Sequence, residues 1–119
     1  MTEAVKKCNE LHDLAMSLAD QAYDAEKQGD TGKAKAHFAA AFEAEKKSAM
    51  ILSDEYEIEP SRSVLFRSAA WLAIKAEKYR EAEKMAAFGL SGSPPPPVDK
   101  ELREVFKHIL EYFTTEVAA

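Results

Sequence analysis

The chain has 119 residues and a formal net charge of −5, from 16 Lys and Arg against 21 Asp and Glu. This length predicts a single domain over 1–119, because two domains would each approach the size at which a hydrophobic core fails. An acidic chain without a stripe of Lys and Arg is poorly suited to the phosphate backbone, so we expect no nucleic-acid partner. The longest apolar run, residues 69–74, is far shorter than the roughly 20 residues of a bilayer span, which argues against a membrane protein.

Cysteine content and the first residues indicate the compartment. Cys8 is the only cysteine, which rules out an internal disulfide and fits a reducing environment. Residues 1–10 are polar and lack the apolar core of a secretion signal. We therefore expect a cytoplasmic protein.

Residues 2–53 show the pattern of a long helical hairpin. Apolar residues recur in steps of 4 and 3 through its first half, which places them on one face of a helix. Gly29 suits the left-handed position that ends a helix, and Asp30 suits the cap of the next one. The two predicted buried faces are Ala4, Cys8, Leu11, Ala15, Leu18, Ala22 and Ala25, and then Ala34, Phe38, Ala41, Phe42, Ala49 and Leu52.

Shorter elements follow in the middle of the chain. Residues 54–59 are mostly acidic and are followed by Pro60, which predicts a loop. A second hairpin is predicted over 61–91, with its break at Glu77 and Lys78. Its apolar positions are Leu65, Ala69, Leu72, Ala76, Ala82, Met85, Ala86 and Leu90.

A proline-rich connector and a fifth helix complete the predicted elements. Consecutive prolines hold an extended polyproline II conformation, so residues 92–97 are predicted to be stiff. Asp99 and Glu101 then complement the dipole at the start of a helix over 98–116. Because no segment alternates with a period of two, the predicted fold is all-α. The apolar face of the fifth helix is Leu102, Phe106, Ile109 and Phe113.

The two predicted hairpins share an internal repeat in which small residues occupy corresponding positions. Ala34 in the first hairpin corresponds to Ala82 in the second, an offset of 48 residues. Both hairpins resemble tetratricopeptide repeats, and residues 59–90 are similar to small bacterial proteins of that type. The resemblance implies a right-handed stack of two antiparallel helix pairs, closed by a C-terminal capping helix. The matching residues are Ala22, Ala34, Phe38 and Ala41, and then Ala70, Tyr79, Ala82, Gly89 and Pro94.

The offset of 48 exceeds the usual repeat of 34 by 14 residues, which lengthen the first hairpin. Because this hairpin turns near Gly29, residues 2–14 and 44–54 extend its far end, and we call them the overhang. Four successive apolar residues in the overhang occupy more than one helix face, so part of it must contact something beyond its hairpin partner. Either the fifth helix folds back over the overhang, or the overhang forms the seam of a homodimer. The candidate oligomer contacts are Val5, Leu11, Met50, Ile51 and Leu52.

No group of residues in the sequence has the spacing of a catalytic or metal site. Cys8 and His12 are one helical turn apart, which is a spacing that metal pairs use, but no CxxC pair or second His cluster accompanies them. The acidic residues 54–59 lack the glycine and the ligand periodicity of a calcium loop. The glycines do not form a phosphate-binding loop. We therefore expect no enzymatic activity and no cofactor.

The tetratricopeptide resemblance implies a concave groove, lined by the first helix of each repeat, that holds a peptide or a partner helix. Arg67 and Lys75 flank Trp71 at intervals of one turn and would suit a ligand with a carboxylate beside an apolar anchor. The alternative is that Trp71 is buried under the C-terminal helix. The predicted groove residues are Met16, Ala19, Asp20, Tyr23, Val64, Arg67, Trp71 and Lys75.

Two functions are consistent with this pattern. The first is a non-catalytic protein–protein interaction module, an adaptor or regulatory subunit, that binds a peptide or partner helix in the groove. The second is a self-assembling homo-oligomeric structural protein that uses the overhang. Both functions are inferred from the predicted helical stack, and a fold does not by itself determine a function.

Overall fold

The computed structural model describes residues 2–118, with side chains described for residues 2–115. This part of the chain is mostly helical and contains no β-strand. The predicted all-α fold of five helices is confirmed. The helices are α1 (Glu3–Lys27), α2 (Thr31–Ile51), α3 (Ser61–Lys75), α4 (Tyr79–Leu90) and α5 (Pro96–Ala118).

Helix α5 begins at Pro96, inside the segment predicted as the connector. Proline suits the first turn of a helix, because its φ angle is already helical and its missing N–H would have no partner there. The carbonyl oxygen of Pro95 accepts hydrogen bonds from the N–H groups of Val98 and Asp99, at 2.9 Å each. The connector is therefore shorter than the proline run suggests.

Helices α1 and α2 form an antiparallel hairpin. Ala15 and Ala22 on α1 and Ala41 on α2 have no exposed surface, and such small side chains let helix axes approach closely. The side chain of Asp30 caps α2, as predicted, by accepting a hydrogen bond from the N–H of Lys33 at 3.0 Å. The alanine pattern of the sequence thus becomes the interior of this hairpin.

Helices α1, α3 and α5 lie side by side and run in the same direction. Lys75 near the end of α3 pairs with Glu26 near the end of α1, at 2.9 Å between Nζ and Oε2. Arg67 on α3 pairs with Glu101 on α5, at 3.4 Å between Nη1 and Oε1. Helix α2 packs against α1 and α3, and α4 packs against α3 and α5. One surface of the molecule is therefore formed by α1, α3 and α5 together.

Helix α5 packs against α4 and α3 and does not fold back over the overhang. At the α4–α5 contact, a Cβ atom at Gly89 would lie 2.9 Å from the Leu102 side chain and 3.2 Å from Cβ of Phe66. A glycine is therefore required for this approach of the two helices. The fully or nearly buried side chains of α5 are Val98, Leu102, Val105 and Ile109.

The overhang is packed against other parts of the chain. Leu52, at the end of α2, is 5% exposed, and Cys8 on α1 is 4% exposed. The Ser48 hydroxyl donates to the backbone oxygen of Cys8 at 2.7 Å, so α1 and α2 are joined at this level. The loop of residues 52–60 and the start of α3 provide the cover that α5 does not.

Arg62, in the first turn of α3, is completely buried. Its Nε and Nη2 atoms donate to the backbone oxygen of Ser53, at 3.0 and 2.9 Å. Its guanidinium lies over the Tyr56 ring, 4.7 Å from the centroid, and over the Phe66 ring at 5.1 Å. A Cβ at Gly92 would lie 2.5 Å from Nη1, so the connector passes directly against this group. Arg62 therefore holds the 52–60 loop and the connector on α3.

Both hairpins turn through a residue in the left-handed backbone region. Gly29, with φ of 79°, occupies that position in the first hairpin, as its sequence context predicted. Glu77, with φ of 61°, occupies it in the second. A residue with a side chain is strained in this region by roughly 1–2 kcal/mol, whereas glycine is not.

Replacing Glu77 with glycine should therefore raise the free energy of unfolding, by about 0.5–1 kcal/mol after the greater entropy loss of glycine on folding is subtracted. Gly29→Ala should lower it by about 1 kcal/mol. Urea unfolding followed by circular dichroism measures both changes. Glu77→Gln is the control, because it removes the exposed ion pair with Lys35 and keeps the strained backbone. A stabilisation of similar size in Glu77→Gln would show that the strain is not the cause.

Candidate partner-binding groove

The surface formed by α1, α3 and α5 contains the predicted groove residues, and we call it the groove. At one end, Lys75 lies beside Tyr23: its Nζ is 5.5 Å from the Tyr23 ring centroid and 5.1 Å from that of Phe38. The Tyr23 and Phe38 rings meet edge to face, with centroids 5.0 Å apart. Lys75 is therefore bound by two rings and by Glu26, and the structure brings Tyr23 and Lys75 together.

Arg67 and Trp71, in the middle of the groove, contact α5. Trp71 is half-buried, and its ring packs edge to face with His108, with centroids 5.9 Å apart. Arg67, one turn before Trp71 on the same side of α3, pairs with Glu101 of α5. The two sequence-based alternatives for Trp71 are thus both incomplete, because α5 contacts the ring without burying it.

The cations of the groove are already neutralised within the chain. Arg67 pairs with Glu101, and Lys75 pairs with Glu26. A ligand carboxylate would have to displace one of these acidic side chains, so the arrangement does not favour the carboxylate ligand that the sequence suggested. Asp20, another predicted groove residue, is exposed, and no ion pair among the described residues engages it. Of the other predicted groove residues on α1, Met16 is half-buried against the core, and Ala19 is buried and therefore does not face the groove.

An apolar pocket of about 280 Å³ lies where the first parts of α1 and α3 meet the 52–60 loop. This volume is close to the lower limit for ligand pockets, roughly 300 Å³, and suits one large side chain more than a whole cofactor. Val64, which was predicted to face the groove, belongs to its wall. The pocket therefore continues the groove beyond Trp71. The lining residues are Val5, Leu52, Ile58, Val64 and Leu65, with Cys8, Asn9, His12 and Ser61 as its polar members.

A buried carboxylate lies behind the polar wall of the pocket. Glu45 on α2 is fully buried, and both of its carboxylate oxygens are within hydrogen-bond distance of Nδ1 of His12, at 2.9 and 3.0 Å. Ser68 on α3 also hydrogen-bonds to this carboxylate. Burial raises the pKa of Glu45, although the bonds to His12 and Ser68 act in the opposite direction. The group joins α1, α2 and α3 directly beneath the groove.

The predicted site residues did not include Glu45 or Arg62. Glu45 lies four residues after Ala41 and four before Ala49, so its place on the buried face of α2 was visible in the helical spacing. Its partner His12 is on another helix, and no pattern within one helix identifies it. Arg62 gave no comparable signal, because arginine near the start of a helix is normally exposed.

Cys8 and His12, the possible metal pair of the sequence, take part in packing and in the Glu45 contact. The Cys8 thiol lies 3.3 Å from the Ser48 hydroxyl and is buried. Among the residues that the structure describes, no three His, Cys, Asp or Glu side chains are grouped so that they could hold a metal ion.

The predicted oligomer contacts are divided between two surfaces. Val5 and Leu52 line the pocket, and Met50 and Ile51 are half-buried against the core. Leu11 lies on the same face of α1 as Leu14, Leu18 and Gln21. At the end of this face, Gln21 lines a crevice together with His37 of α2. We call this side of the first hairpin the outer edge, and its most exposed apolar residue is Leu14, at 50%.

Comparisons with known proteins gave no match: no family model, curated protein or solved structure is significantly similar to this chain. The tetratricopeptide resemblance therefore stays a prediction. Within residues 2–118, no helix combines the length and the apolar character needed to cross a bilayer.

The raised pKa of Glu45 predicts a pH-dependent difference between the wild type and Glu45→Gln. The folded state binds the proton of Glu45 more tightly than the unfolded chain does. At pH values below the ordinary glutamate pKa of 4.5 this carboxyl therefore contributes to stability, and the contribution is lost as the pH rises through the folded pKa. The amide does not titrate, so Glu45→Gln should gain stability relative to the wild type over this rise. Urea unfolding at a series of pH values from about 4 to 8 measures the difference.

The matched control is Glu43→Gln, which changes an exposed carboxylate on the same helix. Its stability relative to the wild type should vary little with pH, since its side chain stays in water. If the Glu45→Gln difference is equally flat, burial does not control this carboxylate.

Proposed function

We propose that the protein is a non-catalytic protein–protein interaction module of the tetratricopeptide type, an adaptor or regulatory subunit, that binds a peptide or a partner helix in its groove. The single observation that carries this proposal is the apolar pocket that continues the groove past Trp71. A concave apolar site with a few polar groups at its wall is the usual form of a binding site. Trp71, half-buried two turns along α3 from the pocket residue Val64, adds a residue type that is common at binding hot spots.

The side-by-side arrangement of α1, α3 and α5 supports the repeat interpretation. Arg67 on α3 and Glu101 on α5 are in contact and are 34 residues apart, which equals the length of a tetratricopeptide repeat. The corresponding contact between α1 and α3 joins Glu26 and Lys75, which are 49 residues apart. The larger separation agrees with a first hairpin that is lengthened by the overhang.

The proposal assigns no catalytic residue. The two groups with the most reactive chemistry in this region, the Cys8 thiol and the Glu45 carboxylate, are both buried and engaged in contacts between helices. Their arrangement supports a role in holding α1, α2 and α3 together, which keeps the groove in shape.

The proposal predicts that the protein selects peptides from a displayed library of random 12-residue sequences. Asn9→Phe, which puts a ring at the exposed edge of the pocket, should weaken a selected peptide about tenfold or more, and Trp71→Ala should do the same. Titration calorimetry measures both affinities. Gln21→Phe is the matched control, because it adds the same ring to an exposed position of α1 on the outer edge. The proposal fails if nothing is selected, or if selected peptides bind Asn9→Phe as well as they bind the wild type.

A second candidate function, self-assembly into a homo-oligomer, is favoured by the outer edge. Leu14 is half-exposed there, in register with the half-buried Leu11 and Leu18. Apolar residues in such a row are typical of a surface that pairs with a copy of itself. This edge includes one of the predicted oligomer contacts, Leu11, and lies apart from the pocket.

Self-assembly through the outer edge predicts a dimer that Leu14→Glu converts to a monomer, because a buried unpaired charge at the seam is strongly unfavourable. Sedimentation velocity at micromolar to millimolar protein concentration measures the change. Leu110→Glu is the control, since Leu110 is 67% exposed on α5, far along the chain from this edge. A wild type that remains monomeric at the highest concentration would exclude this function.

A further inference from the structure

The loop beside the pocket carries a concentrated negative charge. Leu52 and Ile58, which line the pocket, lie on either side of Asp54, Glu55 and Glu57 in the chain. These three carboxylates are exposed, and we call them the acidic rim. Residues 52–60 contain no Lys or Arg. The loop side of the apolar pocket therefore carries negative charge only.

The acidic rim has no cationic partner within the described part of the chain. None of the ion pairs between described side chains engages Asp54, Glu55 or Glu57. Instead, the closeness of the Glu57 carboxyl, together with repulsion from Asp54, raises the pKa of Glu55. A cation bound at the rim would relieve this repulsion.

Other charges near the pocket do not offset the rim. Glu59, the fourth carboxylate of the loop, accepts hydrogen bonds from the N–H groups of Ser63 and Ser93, so it is engaged within the chain and does not belong to the rim. Beside the pocket residues of α1, two basic side chains are balanced by two acidic ones. These four residues are Lys6, Lys7, Glu10 and Asp13.

We propose that the groove binds a cationic amphipathic segment of a partner protein, which places an apolar side chain in the pocket and Lys or Arg side chains on the acidic rim. This inference rests on the proposed function and adds the chemical class of the partner. The pocket is the binding site for the apolar side chain, and the rim selects the charge of the bound segment, because complementary charges steer association and select partners. Farther along the groove, Trp71 offers the ring that attracts cations most strongly.

The charge of the groove argues against an acidic partner. Arg67 and Lys75, the cations that could receive a carboxylate, are engaged by Glu101 and Glu26. An acidic segment would be repelled by the rim, and residues 52–60 contain no Lys or Arg that could compensate its charge. A second copy of the chain is the other possible source of a cationic apolar segment, since α5 carries Lys100, Lys107 and the exposed Leu110.

The test uses two acetylated and amidated 12-residue probes, a peptide of Leu, Ala and Lys and its counterpart with Glu at each Lys. Trp71 is the only tryptophan and reports binding by its fluorescence, because neither probe contains an aromatic residue. The Lys peptide should bind, with an affinity that falls several-fold as salt is raised from about 0.05 to 0.5 M, and the Glu peptide should not. Sequences selected from the random library should be rich in Lys and Arg around an apolar residue.

The variant Asp54→Asn/Glu55→Gln/Glu57→Gln should weaken the Lys peptide about tenfold, because it removes three screened attractions. The matched control, Asp24→Asn/Glu43→Gln/Glu111→Gln, removes the same number of negative charges at exposed sites away from the pocket and the rim. It should change the affinity by less than about twofold. Both variants alter exposed side chains only, so their folding is checked simply by circular dichroism.

Four results would overturn the inference. Equal weakening by the two triple variants would show general charge attraction. Selected library sequences that are acidic or uncharged would refute the cationic partner while leaving the proposed function in place, whereas an empty selection would refute both. If the protein alone self-associates at low salt and Lys107→Glu or Leu110→Ser abolishes this, the occupant is a second copy and not a partner protein.

Discussion

The buried guanidinium of Arg62 is the constraint on which the second half of the structure depends. It is completely enclosed, and its hydrogen bonds to the Ser53 carbonyl oxygen hold a loop that has no regular structure of its own. Removing the partners of a buried charge typically costs about 3–5 kcal/mol, so moving the loop away from Arg62 would be strongly unfavourable. The loop in turn supplies Leu52 and Ile58 to the pocket. The candidate binding site thus exists because a charge is buried behind it.

A second buried charge fixes the other side of the same region. Glu45 on α2 contacts His12 on α1 and Ser68 on α3, so a carboxyl group that is shielded from water joins three helices at one level. Polar contacts of this kind specify one arrangement of helices more sharply than interchangeable apolar packing does. The two buried charges therefore enclose the pocket from the loop side and from the α2 side. A rigid site costs less conformational entropy when a partner binds.

Much of the fold could be predicted from local sequence signals. Helical spacing, the left-handed glycine at Gly29 and the cap at Asp30 act within a few residues of the chain, so their structural meaning can be derived from the sequence alone. The early start of α5 at Pro96 was missed, because a proline run is equally compatible with an extended connector and with the first turn of a helix.

The site was predicted less completely, for a physical reason. Arg67, Trp71 and Lys75 were expected to share a face of α3, and helical geometry suffices for that. Their partners Glu101, His108 and Glu26 lie on other helices, and the distances between helices decide which side chains meet. The same limit applied to α5, which packs on α4 and α3 instead of covering the overhang.

Gly89, on α4, affects the groove although it lies outside it. Its missing side chain lets Leu102 of α5 approach α4, and a methyl group there would lie 2.9 Å from that leucine. A shift of α5 to relieve the clash would carry Glu101 and His108 with it, because all three residues belong to one rigid helix. The spacing between Trp71 and the α5 wall therefore depends in part on a buried position that lies outside the groove itself.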